Sequence, residues 1–105
     1  METLIYRFEN GSRTLPHAAQ VVGVVGSGNL EVLIESTPHQ GACSIEIKTA
    51  ATGFGATWQA VMTDFHARWQ LRDARIAIND MGATPAVVSL RLDQAVESAL
   101  AGNPI

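Results

Sequence analysis

The stretch Cys43–Trp69, CSIEIKTAATGFGATWQAVMTDFHARW, changes its hydrophobic period part-way through. In its first part Cys43, Ile45 and Ile47 alternate with Ser44, Glu46 and Lys48. A period of two predicts a half-buried antiparallel strand over Cys43–Thr49. From Trp58 onward the apolar residues are Trp58, Val61, Met62, Phe65 and Trp69, the last four at offsets of three, four, seven and eleven. That spacing lays one apolar stripe along a helix. Gly53 and Gly55 end the strand and free the chain to turn into the helix. One strand handing over to one amphipathic helix already points to a mixed fold.

Working outward, Thr3–Phe8 (TLIYRF) reads as a strand, broken by Asn10-Gly11-Ser12. Arg13–Ala19, with Pro16, reads as a loop. Gln20–Val25 reads as a second strand whose unbroken apolar run implies burial on both faces, or a face covered by another subunit. Leu30–Glu35 reads as a third strand with Glu31 and Glu35 as its polar positions. Ser36–Gly41, holding Pro38, is a turn. Downstream, Arg75–Ile78 reads as a short strand and Asn79–Gly82 as a turn. Thr84-Pro85 opens a second helix, because threonine suits the N-cap and proline the first helical position. Val88, Leu92, Ala95 and Ala99 mark its buried face, with Val96 beside them, and Gly102 is its stop. The expectation is an α+β fold: an antiparallel four- to five-stranded sheet with two helices packed on one face, forming a single domain over residues 1–105.

The bulk numbers narrow the function. A chain of 105 residues supports one modest core. Hydrophobic residues make up 47% and charged residues only 16%, against about a quarter in typical domains. A lean charge count suggests surface covered by partners. The net charge is −3 with no block of Lys or Arg, which argues against nucleic acid. Cys43 is the lone cysteine, so no internal disulfide and no zinc spacing is available, and no metal is expected. No basic segment precedes an apolar run at the N-terminus, and no run reaches membrane-spanning length. A cytoplasmic protein with no membrane contact is expected.

The candidate for chemistry is Ser27, bracketed by Gly26 and Gly28 and followed by Asn29, at the expected tip of a hairpin. The run begins like a dinucleotide fingerprint but lacks its third glycine, and a strand rather than a helix follows. A hydrolase elbow needs glycines two residues either side, where Val25 and Asn29 stand. Serine catalysis also needs a base, and no spacing ties His17, His39 or His66 to Ser27. His66 reads as structural, while His17 and His39, each beside a proline, read as solvated. Asp80 and Arg91 could pair, and the other carboxylates are scattered. Trp58 and Trp69 read as core, and Cys43 as a buried thiol. Two readings of Ser27 stay open. It is a turn residue among residues that favour turns, or a handle whose small neighbours expose it to a modifying enzyme and whose amides could hold a phosphate.

Three segments together resemble a known family: GVVGSGNLEVLIE (Gly23–Glu35), TGFGATWQAVMTDFHAR (Thr52–Arg68) and INDMGATPAVVSLRLDQAVESA (Ile78–Ala99). They are similar, in order and over essentially the whole chain, to the acyl carrier (delta) subunits of bacterial malonate decarboxylase. Gly23–Glu31 and Asn79–Arg91 are the most specific pieces. A more distant likeness runs to the citrate lyase acyl carrier (gamma) subunit, which has an Asp-Lys-Gly-Ala segment where Asp80-Met81-Gly82-Ala83 stands here. The Gly26-Ser27-Gly28 bracket and the Thr84-Pro85 helix start favour the malonate decarboxylase family.

The resemblance implies that Ser27 carries phosphoribosyl-dephospho-CoA through a phosphodiester, flanked by Gly26, Gly28 and Asn29. It implies that a prosthetic-group transferase attaches the group. Acetyl and malonyl thioesters on it would pass between acyltransferase and carboxylase subunits, releasing acetate and carbon dioxide. The chain itself would then be a non-catalytic carrier. The alternatives are a citrate lyase carrier, a non-catalytic adaptor whose Ser27 is a turn residue, and a small ligand-binding or isomerase domain.

Overall fold

The alternation in Cys43–Thr49 does build a strand over those residues, and it lies inside a five-stranded sheet. The computed structural model describes residues 1–15, 20–27 and 29–100, with the side chains of 20–27 outside that description. In chain order the elements are β1 (Glu2–Phe8), β2 (Arg13–Thr14), β3 (Gln20–Ser27), β4 (Leu30–Ser36), β5 (Cys43–Thr49), α1 (Gly55–Trp69), β6 (Leu71–Arg72), β7 (Ala74–Asp80) and α2 (Pro85–Leu100). The large sheet has the order β1-β5-β7-β4-β3, and β2 pairs with β6 in a small second sheet. The α+β architecture read from the sequence is the one observed.

Three of the four pairings in the large sheet are antiparallel, but β5 and β7 run parallel. This corrects the all-antiparallel expectation. The cause is the period change in the sequence: α1 lies between the two strands. A helical crossover returns the chain to the end where β5 began, so the next strand repeats its direction.

The sheet separates two faces. Val32 and Ile34 of β4, Ile45 and Ile47 of β5, and Ile76 and Ile78 of β7 are buried in one core. That core also contains Trp58, Met62 and Phe65 of α1 and Val88, Leu92, Ala95, Val96 and Ala99 of α2. Both helices therefore cover the same face, and the stripes read from the sequence are the residues they bury. Ile5, Arg7, Glu46, Lys48 and Arg75 are exposed on the other face.

The helix ends follow from local chemistry. Thr84 Oγ1 accepts the Val87 N–H at 3.3 Å, and Pro85 is the first helical residue, as the sequence predicts. The end of α1 is a left-handed Gln70 whose N–H donates to the His66 carbonyl at 2.8 Å. Trp69 is half-buried, and its Nε1 donates to Asp93 on α2 at 2.8 Å. Neither helix is long and apolar enough to cross a membrane.

Some expectations change. Residues 13–14, read as loop, are β2, and its partner β6 was not anticipated. A two-residue bridge has no periodicity to detect. β3 runs on to Ser27, two residues beyond its expected end, and lies at the sheet edge. Its register shifts between Val21 and Gly23, and bulges of this kind are common at edges. Its side-chain burial, the segment 16–19 with Pro16 and His17, and the Gly102 stop lie outside the described residues.

Two consequences can be measured. A Cβ on Gly11 would stand 2.1 Å from the Leu71 carbonyl oxygen, which is backbone and cannot swing aside. Gly11→Ala should lower stability by about 1–3 kcal/mol, read as a shift in urea midpoint. Burial pushes the Cys43 thiol up to about 12. The folded state then holds a proton that the unfolded state releases above about pH 8.5, so stability falls as pH rises from there toward 12. In the native protein Cys43 should resist a thiol reagent at pH 8 and react fully in denaturant.

Candidate functional site

Ser27 is the last residue of β3 and pairs with Leu30. Positions 28 and 29 alone separate the two paired residues, the shortest common hairpin connection. The serine expected at the tip is therefore a strand-end residue, because Gly26 and Ser27 keep their places in the ladder opposite Glu31 and Leu30. Asn29 is exposed, and its carbonyl accepts the Met81 N–H at 2.9 Å. That bond ties the hairpin to the segment that follows β7. Gly28 lies outside the described residues.

The pairing continues across the sheet in one row: Ser27, Leu30, Asp80, Thr49 and Glu2. Asp80 is the polar centre of this row and is only 3% exposed. Its Oδ2 accepts from Thr49 Oγ1 at 2.8 Å. Its Oδ1 accepts the N–H groups of Gly82 at 3.2 Å and Ala83 at 2.8 Å. These bonds satisfy a carboxylate that would be costly to bury bare. They also shape the turn that leads into α2, where Gly82 has φ +111. The Asp80–Arg91 pair suggested by the sequence is not what Asp80 makes, and Arg91 instead donates to Gln94 at 2.8 Å. Asp-Met-Gly-Ala is the signal that could have revealed this role, since Asp side chains bond backbone two residues on.

The same end of the sheet carries a cleft of about 340 Å³ between the first turns of α1 and α2. Phe54, Trp58, Val61, Ala83 and Pro85 line it, with Thr49 and Asp80 at its floor. Phe54 and Met81, 54% and 63% exposed, are large apolar residues at this end.

The described histidines stand at the other end. The ring of His66 stacks on Phe8 at 4.6 Å, and burial lowers its pKa. His39 is not simply solvated, as expected from its proline neighbour. Its Nε2 lies 3.0 Å from Arg7 and bonds Ser44. Its N–H joins that of Gly41 on Asp73 Oδ1, both at 2.9 Å, and these bonds hold the Asp73 carboxyl below its usual range. Ser44 is five residues along β5 from Thr49, a distance of about 17 Å. Neither described histidine can act as a base for Ser27.

The model of the family described as "ACP: Malonate decarboxylase delta subunit (MdcD)" matches residues 17–99. The chain belongs to this malonate decarboxylase delta-subunit family. A "Malonate decarboxylase acyl carrier protein" of Stenotrophomonas maltophilia (strain K279a) is 61% identical over 105 residues, 99% of each chain. A protein of the same description from Xanthomonas euvesicatoria pv. vesicatoria (strain 85-10) is 67% identical over 100 residues, 92% of this chain and 93% of that one. Among solved structures, a chain in "a Pseudomonas malonate decarboxylase hetero-tetramer in complex with malonate" superposes with a TM-score of 0.74. That chain is 38% identical, with 92% of this chain and 97% of its own length covered. The segments Gly23–Glu35, Thr52–Arg68 and Ile78–Ala99, on which the resemblance rested, all lie within the matched span.

Asp80→Ala should leave the Thr49 hydroxyl proton without its acceptor, orphan two turn amides and cost about 2–4 kcal/mol. Urea unfolding of Asp80→Ala, which loses three hydrogen bonds, and Thr49→Val, which loses two because Thr49 Oγ1 also accepts the Ala51 N–H at 3.2 Å, should rank their losses in that order.

Proposed function

We propose that this chain is the acyl carrier subunit of a malonate decarboxylase, acting in the cytoplasm, with residues 1–105 as one carrier domain. Ser27 is the attachment point, through a phosphodiester, of phosphoribosyl-dephospho-CoA, and Gly26, Gly28 and Asn29 are the flanking positions that give access to it. When bound, the group supplies a terminal thiol for acetyl and malonyl thioester chemistry, which eases loss of carbon dioxide from malonate.

The observation that carries this reading is the placement of Ser27: the last residue of a strand beside a two-residue turn, far from either described histidine. A self-activating serine needs a base within hydrogen-bond reach. A serine modified by a separate transferase does not. Neither helix has an acidic residue in its own first turn, so the positive ends of both dipoles face this end of the sheet, where the oxygens of the Asp80 carboxylate are already engaged by Thr49 and two turn amides. A phosphodiester suits that environment. Exposed Met81, whose N–H is bonded to Asn29 of the hairpin, gives partner proteins an apolar grip beside it. The partners proposed are the prosthetic-group transferase and the acyltransferase and carboxylase subunits. The relatives are malonate decarboxylase carriers by description, and the similar solved chain sits in a malonate decarboxylase assembly.

Coexpression with the cognate transferase should add one prosthetic-group mass to the intact chain, with or without an acetyl group. Peptide mapping should place it on Ser27, and Ser27→Ala should remain at the apo mass. Uptake of the full mass by Ser27→Ala would reject Ser27 as the site.

A further inference from the structure

The cleft between the first turns of α1 and α2 is not needed to explain a modified serine, yet it opens on the row that contains Ser27. We propose that this cleft is a subsite for the adenine of the prosthetic group carried on Ser27, and so parks the nucleotide part of the arm against the carrier. The inference rests on Ser27 being the attachment point.

Reach selects the occupant. Ser27 pairs with Leu30 and Leu30 with Asp80, which lines the cleft. Two strand spacings separate Ser27 from Asp80, about 10 Å. In phosphoribosyl-dephospho-CoA the adenine nucleotide adjoins the phosphoribosyl link, and the pantetheine thiol lies at the far end. About ten covalent bonds join the serine oxygen to the base, which extend to about 12 Å. The base therefore reaches the cleft directly, whereas the thiol end would have to fold back past it.

The lining suits a flat aromatic ring. Phe54 is 54% exposed although it borders a cavity, and Trp58 and Pro85 provide further flat or rigid apolar surface. The volume of about 340 Å³ lies within the range of small-molecule pockets, roughly 300–1,000 Å³. Both carboxylate oxygens of Asp80 already accept hydrogen bonds, so stacking and shape hold the base rather than that carboxylate. Stacking alone gives weak binding. Weak binding is enough for a tethered ligand, whose effective concentration is about millimolar, and it lets the arm leave when a partner competes.

The test uses the full chain, isotopically labelled, before and after loading by the transferase, with intact mass and peptide mapping recorded first. Loading should move the amide resonances of Thr49, Ala51 and Thr57 and the Trp58 indole, besides those next to Ser27. In Phe54→Ala the cleft shifts should vanish while the adduct on Ser27 remains. Free adenosine 5′-phosphate added to the apo chain should move the same resonances, and Phe54→Ala should weaken that binding about tenfold. Free pantetheine should not move them. A chain loaded on Ser27 whose cleft resonances stay still overturns the subsite and leaves the attachment site standing. So does a cleft that answers to pantetheine and not to the nucleotide. Absence of any adduct on Ser27 overturns both readings.

Discussion

The parallel pairing of β5 with β7 is the constraint on which the rest of the arrangement depends. Cys43–Thr49 and Ala74–Asp80 run side by side in the same direction near the middle of the sheet. Both strands therefore finish at the same end, and the helix that follows each must begin there. β4 is antiparallel to β7, so its first residue, Leu30, and the hairpin before it stand at that end too. One topological choice thus gathers two helix N-termini, the Thr49–Asp80 hydrogen bond, an apolar cleft and Ser27 onto one edge of the molecule.

The energetic logic of that edge differs from the rest of the core. Behind it, rows of isoleucine and valine pack against the two helix stripes, and burial of apolar area is the stabilising term. At the edge the row contains a buried carboxylate, which is stable only because both of its oxygens accept hydrogen bonds, from Thr49 across the sheet and from two amides of its own turn. Asp80 is thus a staple between β5, β7 and the entry to α2 rather than a reagent. The opposite face of the sheet has Arg7, Glu46, Lys48 and Arg75 and, among the described residues, no helix. The lean charge count therefore does not mean a uniformly apolar surface. Two of the exposed large apolar residues, Phe54 and Met81, stand at the Ser27 end.

A carrier has different physical needs from an enzyme. It needs a reachable attachment point, a firm base beneath it and surfaces that let partners bind and release. The Met81–Asn29 bond and the Asp80 network provide the firm base. In the proposed function the work of activating the serine and of the acyl chemistry would belong to the partners, and the strand-end serine has neither described histidine in reach. In the proposed function tethering would replace affinity: each partner would meet a high local concentration of the arm without the carrier binding any substrate tightly.

By itself the sequence determined the elements whose periodicity is strong. Ile45 and Ile47 in their strand, the Trp58–Phe65 stripe, the Thr84 cap and the Val88–Ala99 face all stand where their spacing puts them, because those patterns report local geometry directly. The family was also legible, since long matching segments preserve order along the chain. Only the tertiary structure decided what depends on partners distant in sequence. The β5–β7 direction follows from a crossover, and β2 and β6 exist only as each other's partner. The role of Asp80 needs Thr49, thirty-one residues away. Ser27 moved from a hairpin tip to a strand end because its ladder with β4 outweighed the turn preference of the glycine before it. A glycine beside a serine records freedom of the backbone; which strand takes up that freedom is fixed only when the neighbouring strands come together.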